Sequence, residues 1–66
     1  MTYSELVRRL SELGCVLGKQ GSRHEIWINP SNGQTTTIPR HHSKEVPKGT
    51  LSKIIRDLGI ADQFKR

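Results

Sequence analysis

The chain has 66 residues, of which 32% are hydrophobic, with one Trp, one Tyr and one Phe. This length predicts one domain over residues 1–66 with a small core, and it excludes a deep substrate cavity. Eleven Lys and Arg against six Asp and Glu give a net charge of +5, which favours a polyanion such as nucleic acid or a membrane surface, or an acidic protein, as the partner.

Apolar segments of the kind that secretion or membrane insertion requires are missing from the sequence. It contains neither an N-terminal apolar run nor a stretch of about 18 apolar residues. We therefore expect no signal peptide, no membrane-spanning helix and a soluble cytoplasmic protein. The single cysteine, Cys15, lies in an apolar run, which favours a buried core residue over a nucleophile.

The first predicted element is a helix near the N-terminus. Thr2 and Glu5 have the spacing of a capping box, and Gly14 suits the position that follows a helix C-terminus. Between them, apolar residues recur at helical intervals. These residues are Tyr3, Leu6, Val7, Leu10 and Leu13.

Three strands are predicted next, because short apolar or Thr-rich runs alternate with turn residues. The strands are predicted at residues 15–17, 24–29 and 34–38, with a polar turn at 18–23 and a hairpin loop at 30–33. The polar turn contains glycine and carries two cations, Lys19 and Arg23. Pro39 closes the third strand.

A second helix is predicted after a polar, basic segment at residues 40–45. Pro47 fits the first turn of this helix, and Gly59 fits its end. Its apolar stripe has i, i+3, i+4, i+7 spacing and consists of Leu51, Ile54, Ile55 and Leu58. For residues 61–66 two outcomes stay open: a short terminal turn with Phe64 on the core, or a frayed tail.

The element order α-β-β-β-α predicts an α+β fold, in which two helices cover one face of a three-stranded antiparallel sheet. Strand alternation places His24, Ile26 and Ile28 on one sheet face and Glu25 and Trp27 on the other. The sequence leaves open which of these faces meets the helices.

His24 is the candidate for acid–base chemistry. It opens the second predicted strand directly after the glycine turn, at the end of the sheet and beside Lys19 and Arg23. An imidazole between cations suits a phosphate-facing acid or base. Taken alone, a structural histidine or a simple RNA contact is the commoner outcome.

A basic cluster precedes the second helix and consists of His41, His42, Lys44 and Lys48. Free N–H groups and the helix dipole favour an anion at that position, so phosphate binding is the natural hypothesis. The alternative is a solvated basic loop. Trp27 has two open roles, stacking on a base or packing in the core.

The histidines and the cysteine also raise the question of a metal site. His24, His41, His42 and Cys15 do not have the spacing of a CxxC or HxxxH ligand pattern. Adjacent histidines on an extended chain point in opposite directions. We therefore expect neither a metal nor another cofactor.

Three motifs together resemble a known family. They are GSRHEIW at residues 21–27, IPRH at residues 38–41 and PKGTL at residues 47–51. In this order and at these spacings they are similar to the HicA toxins of bacterial toxin–antitoxin pairs, and the resemblance runs from the first helix to Gly59.

The resemblance implies a double-stranded-RNA-binding-like fold, cleavage of mRNA without a metal, and inhibition by a HicB antitoxin. It carries the family's catalytic histidine over to His24. Many members have the histidine immediately after Gly-Ser, whereas Arg23 intervenes here. The residues expected to contact RNA are Lys19, Arg23, His41, His42, Lys44 and Lys48.

Metal-free cleavage by a histidine implies that the ribose 2′-OH attacks the adjacent phosphate while His24 transfers a proton. A second proton-transfer group is not obvious, with His41 or water as candidates, and we expect a slow enzyme of low sequence specificity. Two other classes of function are possible. One is a non-catalytic RNA-binding module, and the other is an adaptor that docks an acidic protein.

Overall fold

Three helices and three strands make up the computed structural model, which describes residues 1–64. They are α1 (Tyr3–Glu12), β1 (Val16–Gln20), β2 (His24–Asn29), β3 (Gln34–Pro39), α2 (Lys48–Asp57) and α3 (Ala61–Phe64). The sheet is antiparallel with strand order β1-β2-β3. The predicted α+β fold is therefore confirmed. Of the two outcomes left open for the chain end, the terminal turn is observed over Ala61–Phe64 as α3, while residues 65–66 lie outside the described part.

Helix α1 begins and ends as its sequence predicts. The Thr2 hydroxyl accepts a hydrogen bond from the Glu5 N–H at 3.3 Å, and the Thr2 N–H donates to Glu5 Oε1 at 2.8 Å. These two bonds form the capping box and satisfy N–H groups that a helix start leaves free. Leu13 is the C-cap, and Gly14 follows with φ +93°, a conformation that glycine adopts without strain.

The core lies between the two long helices and one face of the sheet. Its fully buried side chains come from α1, β3, α2 and the C-cap of α2, and they are Leu6, Leu10, Ile38, Ile54 and Leu58. Trp27 also belongs to this core and is 7% exposed. The face of β2 that meets the helices is therefore the one with Glu25 and Trp27, and His24 and Ile26 are exposed on the other, open face.

Strand β1 is longer than predicted, and its bounds were wrong. It covers Val16–Gln20, so Lys19 lies in the strand and not in a turn, while buried Cys15 precedes it. The register skips one residue, because Leu17 pairs with Trp27 and Lys19 with Ile26. Gly18 is thus the extra residue of a β-bulge, and bulges re-aim the side chains that follow them.

Helix α2 differs from its prediction at its first residue. Pro47 is the N-cap with ψ 147°, outside the first turn, and the helix begins at Lys48. The Pro47 carbonyl accepts from the Leu51 N–H at 2.9 Å, which is the usual first bond of a helix. At the other end Leu58 is the C-cap and Gly59 has φ +68°, as predicted for the residue that ends this helix.

The β2–β3 hairpin is tied to the end of α2 by two side-chain amides. Asn29 Nδ2 donates to the Leu58 carbonyl at 2.8 Å, and Asn32 Nδ2 donates to the same oxygen at 3.1 Å. These bonds satisfy a carbonyl at a helix end. Because they join the hairpin to α2, they also help to fix how the helix lies on the sheet. Within residues 1–64, none of the helices has the length and apolar character that crossing a membrane requires.

Candidate functional site

His24 is exposed at the end of the open sheet face. It is the first residue of β2 and pairs with Pro39 of β3. The predicted alternation along β2 is confirmed: Glu25 and Trp27 are each 7% exposed, whereas Ile26, on the face of His24, is 37% exposed. Of the two roles left open for Trp27, core packing is therefore the one observed.

An open pocket of about 290 Å³ lies next to His24. Its lining consists of Lys19, Gly21, His24, Ile26 and Thr37. The bulge at Gly18 is what brings Lys19 here, because regular alternation along β1 after Leu17 would turn Lys19 towards the helices. The pocket thus combines an imidazole, a cation and a hydroxyl above an aliphatic floor.

Backbone bonds hold the turn that precedes His24. The Gly21 N–H donates to the His24 carbonyl at 2.8 Å, which closes the turn over residues 21–24. The Arg40 N–H donates to the Arg23 carbonyl at 3.0 Å and continues the β2–β3 ladder into this turn. Arg40 Nη1 adds a side-chain bond to the Gly21 carbonyl at 3.0 Å.

Arg40 also reaches a buried carboxylate beneath the sheet. Its Nε lies 3.7 Å from Glu25 Oε2, an ion-pair distance, while Glu25 Oε1 accepts from Trp27 Nε1 at 3.1 Å. A buried carboxylate needs such partners, because removal from water penalises its charge. The chain of contacts therefore runs from the core at Trp27 through Glu25 and Arg40 to the turn at Gly21.

The basic loop, which is the polar segment at residues 40–45 after β3, is bonded to the start of α1. The Tyr3 N–H donates to the Lys44 carbonyl at 3.0 Å, and the Ser4 N–H donates to the His42 carbonyl at 2.9 Å. The ring of His41 meets the ring of Tyr3 edge-on, with centroids 6.0 Å apart. These contacts use the loop's backbone and one ring, so the side chains of His42 and Lys44 remain exposed.

The loop leads into the N-terminus of α2. The first turn of this helix consists of Lys48, Gly49, Thr50 and Leu51, and its N-cap is a proline, which lacks a side-chain group that could cap the free N–H groups. A helix start with these properties favours an anion. Lys48, the first residue of α2, is exposed and adds a positive charge at this helix start.

Comparison with known proteins decides the family. Residues 3–60 match the family described as the HicA toxin of bacterial toxin–antitoxin systems. The chain belongs to the HicA toxin family. A curated relative, the probable mRNA interferase HicA 2 of Photorhabdus laumondii subsp. laumondii, is 38% identical over 61 residues, which are 91% of this chain and 98% of the relative. The resemblance inferred from the three motifs is confirmed, and the chain is a toxin with an antitoxin partner.

The structure places the predicted RNA contacts of this HicA toxin in two groups. Lys19 lines the pocket of His24, whereas Arg23 lies in the turn just before it. The second group follows β3 along the basic loop to the start of α2 and consists of His41, His42, Lys44 and Lys48. Because Arg40 bonds to the turn before His24, the loop leaves the sheet at the same end as His24.

Sequence reasoning missed three contributors to the site of this HicA toxin. Thr37 lines the pocket, and Glu25 and Arg40 hold the turn. A signal for Glu25 existed, because alternation put it on the face of Trp27, and a carboxylate on a core face calls for a cation. Which cation it meets depends on the β2–β3 register, which the sequence alone does not specify.

Cys15 has the buried role that its apolar run predicted. The side chain belongs to the core, and burial raises the pKa of its thiol above the ordinary value, which disfavours the reactive thiolate. Within residues 1–64 no group of three or more His, Cys, Asp or Glu side chains is arranged to hold a metal ion.

With His24 as the expected proton-transferring residue, we expect Glu25→Gln to slow RNA cleavage about tenfold in kcat, because a loosened turn would misplace the imidazole relative to the substrate. Glutamine keeps the size of the side chain and an acceptor for Trp27 Nε1, but it removes the charge that Arg40 faces. RNA affinity should stay equal or rise, since a negative charge is lost. Separate measurement of kcat and of RNA affinity checks both expectations.

Glu12→Gln is the matched control, because it makes the same charge change on the exposed surface of α1. It should leave kcat unchanged. If Glu25→Gln cleaves RNA with the wild-type kcat, the ion pair does not position His24. If both variants gain affinity alike while Glu25→Gln alone loses kcat, the positioning role holds.

Proposed function

We propose that this HicA toxin is a ribonuclease that cleaves mRNA and thereby stops translation, with His24 as the proton-transferring residue. The observation that carries the proposal is the exposed imidazole of His24 in an open pocket with Lys19. An enzyme that cuts a long polymer needs its reacting group at the surface, and an open sheet end meets that need. The name of the Photorhabdus relative, a probable mRNA interferase, supports the same activity.

The proposed reaction begins with attack of a ribose 2′-OH on the adjacent phosphorus. The new bond joins O2′ to phosphorus, and the bond to the 5′ oxygen of the next nucleotide breaks. His24 removes the 2′ proton or protonates the leaving 5′ oxygen, and either role contributes about 10²–10⁴-fold. The products are a 2′,3′-cyclic phosphate and a 5′-hydroxyl.

The phosphorane formed on this path carries extra negative charge, which the site must stabilise. Lys19 lines the same pocket as His24, and Arg23 immediately precedes His24 in the chain. Cations placed in advance around a developing charge usually make the largest single contribution to catalysis. We assign this charge stabilisation to Lys19 and Arg23. Water is proposed as the second proton-transfer group, because the His41 ring contacts Tyr3 in the basic loop and does not line the pocket.

The experiment that tests the reaction replaces a single 2′-OH. A short RNA whose cleavage position has been mapped is compared with the same RNA carrying deoxyribose at the scissile nucleotide. The proposal predicts that cleavage at that position is lost, because the nucleophile is gone. Cutting of the deoxy substrate at the same position would contradict the mechanism.

The basic loop and the start of α2 are proposed to bind the RNA backbone away from the cut. We expect Lys44→Ala and Lys48→Ala each to weaken binding and to lower the slope of log affinity against log salt by about 0.7, the value for one phosphate contact on single-stranded nucleic acid. Fluorescence anisotropy across a salt series measures this slope. Both lysines are exposed, so folding should be unaffected.

Lys53→Ala is the matched control for these two variants. Lys53 is an exposed lysine on the same helix as Lys48, and its Nζ contacts Asp57 Oδ2 at 2.8 Å. It should leave the salt slope unchanged. If Lys44→Ala and Lys48→Ala keep the wild-type salt slope, as Lys53→Ala should, the basic loop and the start of α2 do not contact the RNA phosphates.

The antitoxin is proposed to be of the HicB type, and the pair is proposed to act in the cytoplasm, where mRNA is translated. The family resemblance supports the first point, and the net charge of +5 suits an acidic partner. A HicB-type protein encoded beside this toxin should block RNA cleavage when it is added in equimolar amount. Undiminished cleavage would point to a different class of antitoxin.

A further inference from the structure

We propose that a row of side chains across the open sheet face, Lys19, Ile26 and Thr37, is a subsite for one unpaired nucleotide next to the scissile bond. The proposal rests on the proposed ribonuclease function and adds the form of RNA that the site accepts. In this assignment the base lies on Ile26 and Thr37, and the phosphate lies between Lys19 and His24.

The three residues form a single cross-strand row. Lys19 pairs with Ile26, and Ile26 pairs with Thr37, so the row takes one residue from each strand of the sheet. His24 stands two residues before Ile26 on the same face, which is about 7 Å along the strand. A nucleotide whose base covers Ile26 therefore has its phosphate within reach of His24.

The bulge at Gly18 places the cation Lys19 in this row. A Cβ on Gly18 would collide with Ile28 Cδ1 and lie 2.9 Å from Ile28 Cγ1, so a larger residue here would force the Ile28 side chain to shift. Bulges disturb the strand ladder, and they occur often next to active sites, where they re-aim a side chain. Here the re-aimed side chain is Lys19, which then lines the pocket.

The chemistry of the row matches the parts of a nucleotide. Ile26 is a large aliphatic side chain that remains 37% exposed, which offers a floor for the flat face of a base. The exposed Thr37 hydroxyl can bond a base edge, and Lys19 can bind a phosphate. In a duplex the base faces are stacked and the pairing edges are used, so this floor suits an unpaired nucleotide.

The neighbouring row supplies matched controls. Val16, Ile28 and Thr35 also pair across the three strands and share the open face, but they lie one row farther from His24 and outside the pocket lining. Ile28 thus matches Ile26, and Thr35 matches Thr37, in residue type, strand and face. A general effect on the sheet would change both rows, whereas a nucleotide subsite would depend on one.

The test uses abasic nucleotides in a short single-stranded RNA with a mapped cleavage position. Removal of the base on one side of the scissile bond should raise KM for the wild type about tenfold, and removal on the other side should matter less. Ile26→Ala should raise KM about tenfold on intact RNA and should no longer respond to the sensitive abasic position. Ile28→Ala should keep the full abasic penalty.

Thr37→Val and Thr35→Val give a second pair that preserves the β-branched shape of the strand residue. Thr37→Val should raise KM about threefold through loss of one base-edge hydrogen bond, and Thr35→Val should match the wild type. Circular dichroism verifies that each variant is folded. If Ile26→Ala is unfolded, the Thr37→Val and Thr35→Val pair and the wild-type abasic series still show whether the row binds a nucleotide.

Several results would overturn the subsite. One is cleavage by wild type that is indifferent to both abasic positions, and another is a full abasic penalty retained by Ile26→Ala. Weakened antitoxin binding by Ile26→Ala and Thr37→Val, with unchanged cleavage, would assign the row to the antitoxin instead. Failure of the ribonuclease proposal itself would look different, because wild type would then leave the intact RNA uncut.

Discussion

His24→Ala should lower the rate of RNA cleavage about 10²–10⁴-fold, the contribution of a positioned acid or base. RNA affinity should remain close to that of wild type, because the cations of the pocket and of the basic loop are unchanged. His24 is exposed at the end of β2, so its removal should cost little stability. Cleavage assays with excess enzyme, combined with anisotropy measurements of binding, separate the two effects.

His42→Ala is the matched control, since His42 is also exposed but lies in the basic loop and not in the pocket. It should change affinity modestly and leave kcat unaltered. A His24→Ala variant that cleaves at the wild-type rate would remove His24 from the chemistry. If the wild type itself binds RNA without cutting it, the protein is a binding module and not a ribonuclease.

Leu10→Ala should destabilise the fold by about 3 kcal/mol, because Leu10 is 0% exposed in the core and such truncations lose burial and leave a cavity. A domain of this size has a total stability of only about 3–10 kcal/mol. The variant should therefore be partly unfolded at 37 °C or lose most of its stability margin. Urea denaturation followed by circular dichroism measures the free energy of unfolding.

Leu17→Ala is the control for the same chemical change on a strand, because Leu17 is 43% exposed. It should cost less than about 1 kcal/mol, in line with the smaller area that it buries. Equal losses at Leu10 and Leu17 would contradict the placement of the core between the helices and the sheet.

Much of the fold was predictable because its signals are local. The capping box at Thr2 and the glycines after the two long helices depend on residues a few positions apart, and the structure confirms them. Strand β2 was predicted with its observed bounds, since turn residues flank it on both sides. The position of His24 on the open face follows from these bounds and from alternation.

The parts that could not be predicted depend on contacts between distant segments. The β1 bulge depends on the pairing of β1 with β2, where Gly18 lies against Ile28, and it places Lys19 in the pocket and not in the predicted turn. The Glu25–Arg40 ion pair likewise requires the β2–β3 register. A single sequence does not reveal such pairings.

The most direct test of metal-free cleavage by His24 is a map of the RNA ends produced by the purified toxin in EDTA. Cleavage should persist in EDTA, leave a 2′,3′-cyclic phosphate and a 5′-hydroxyl, and be lost in His24→Ala. Cleavage that needs added Mg²⁺ and leaves a 3′-hydroxyl and a 5′-phosphate would contradict this mechanism, because those ends require water or hydroxide, and not the 2′-OH, as the nucleophile.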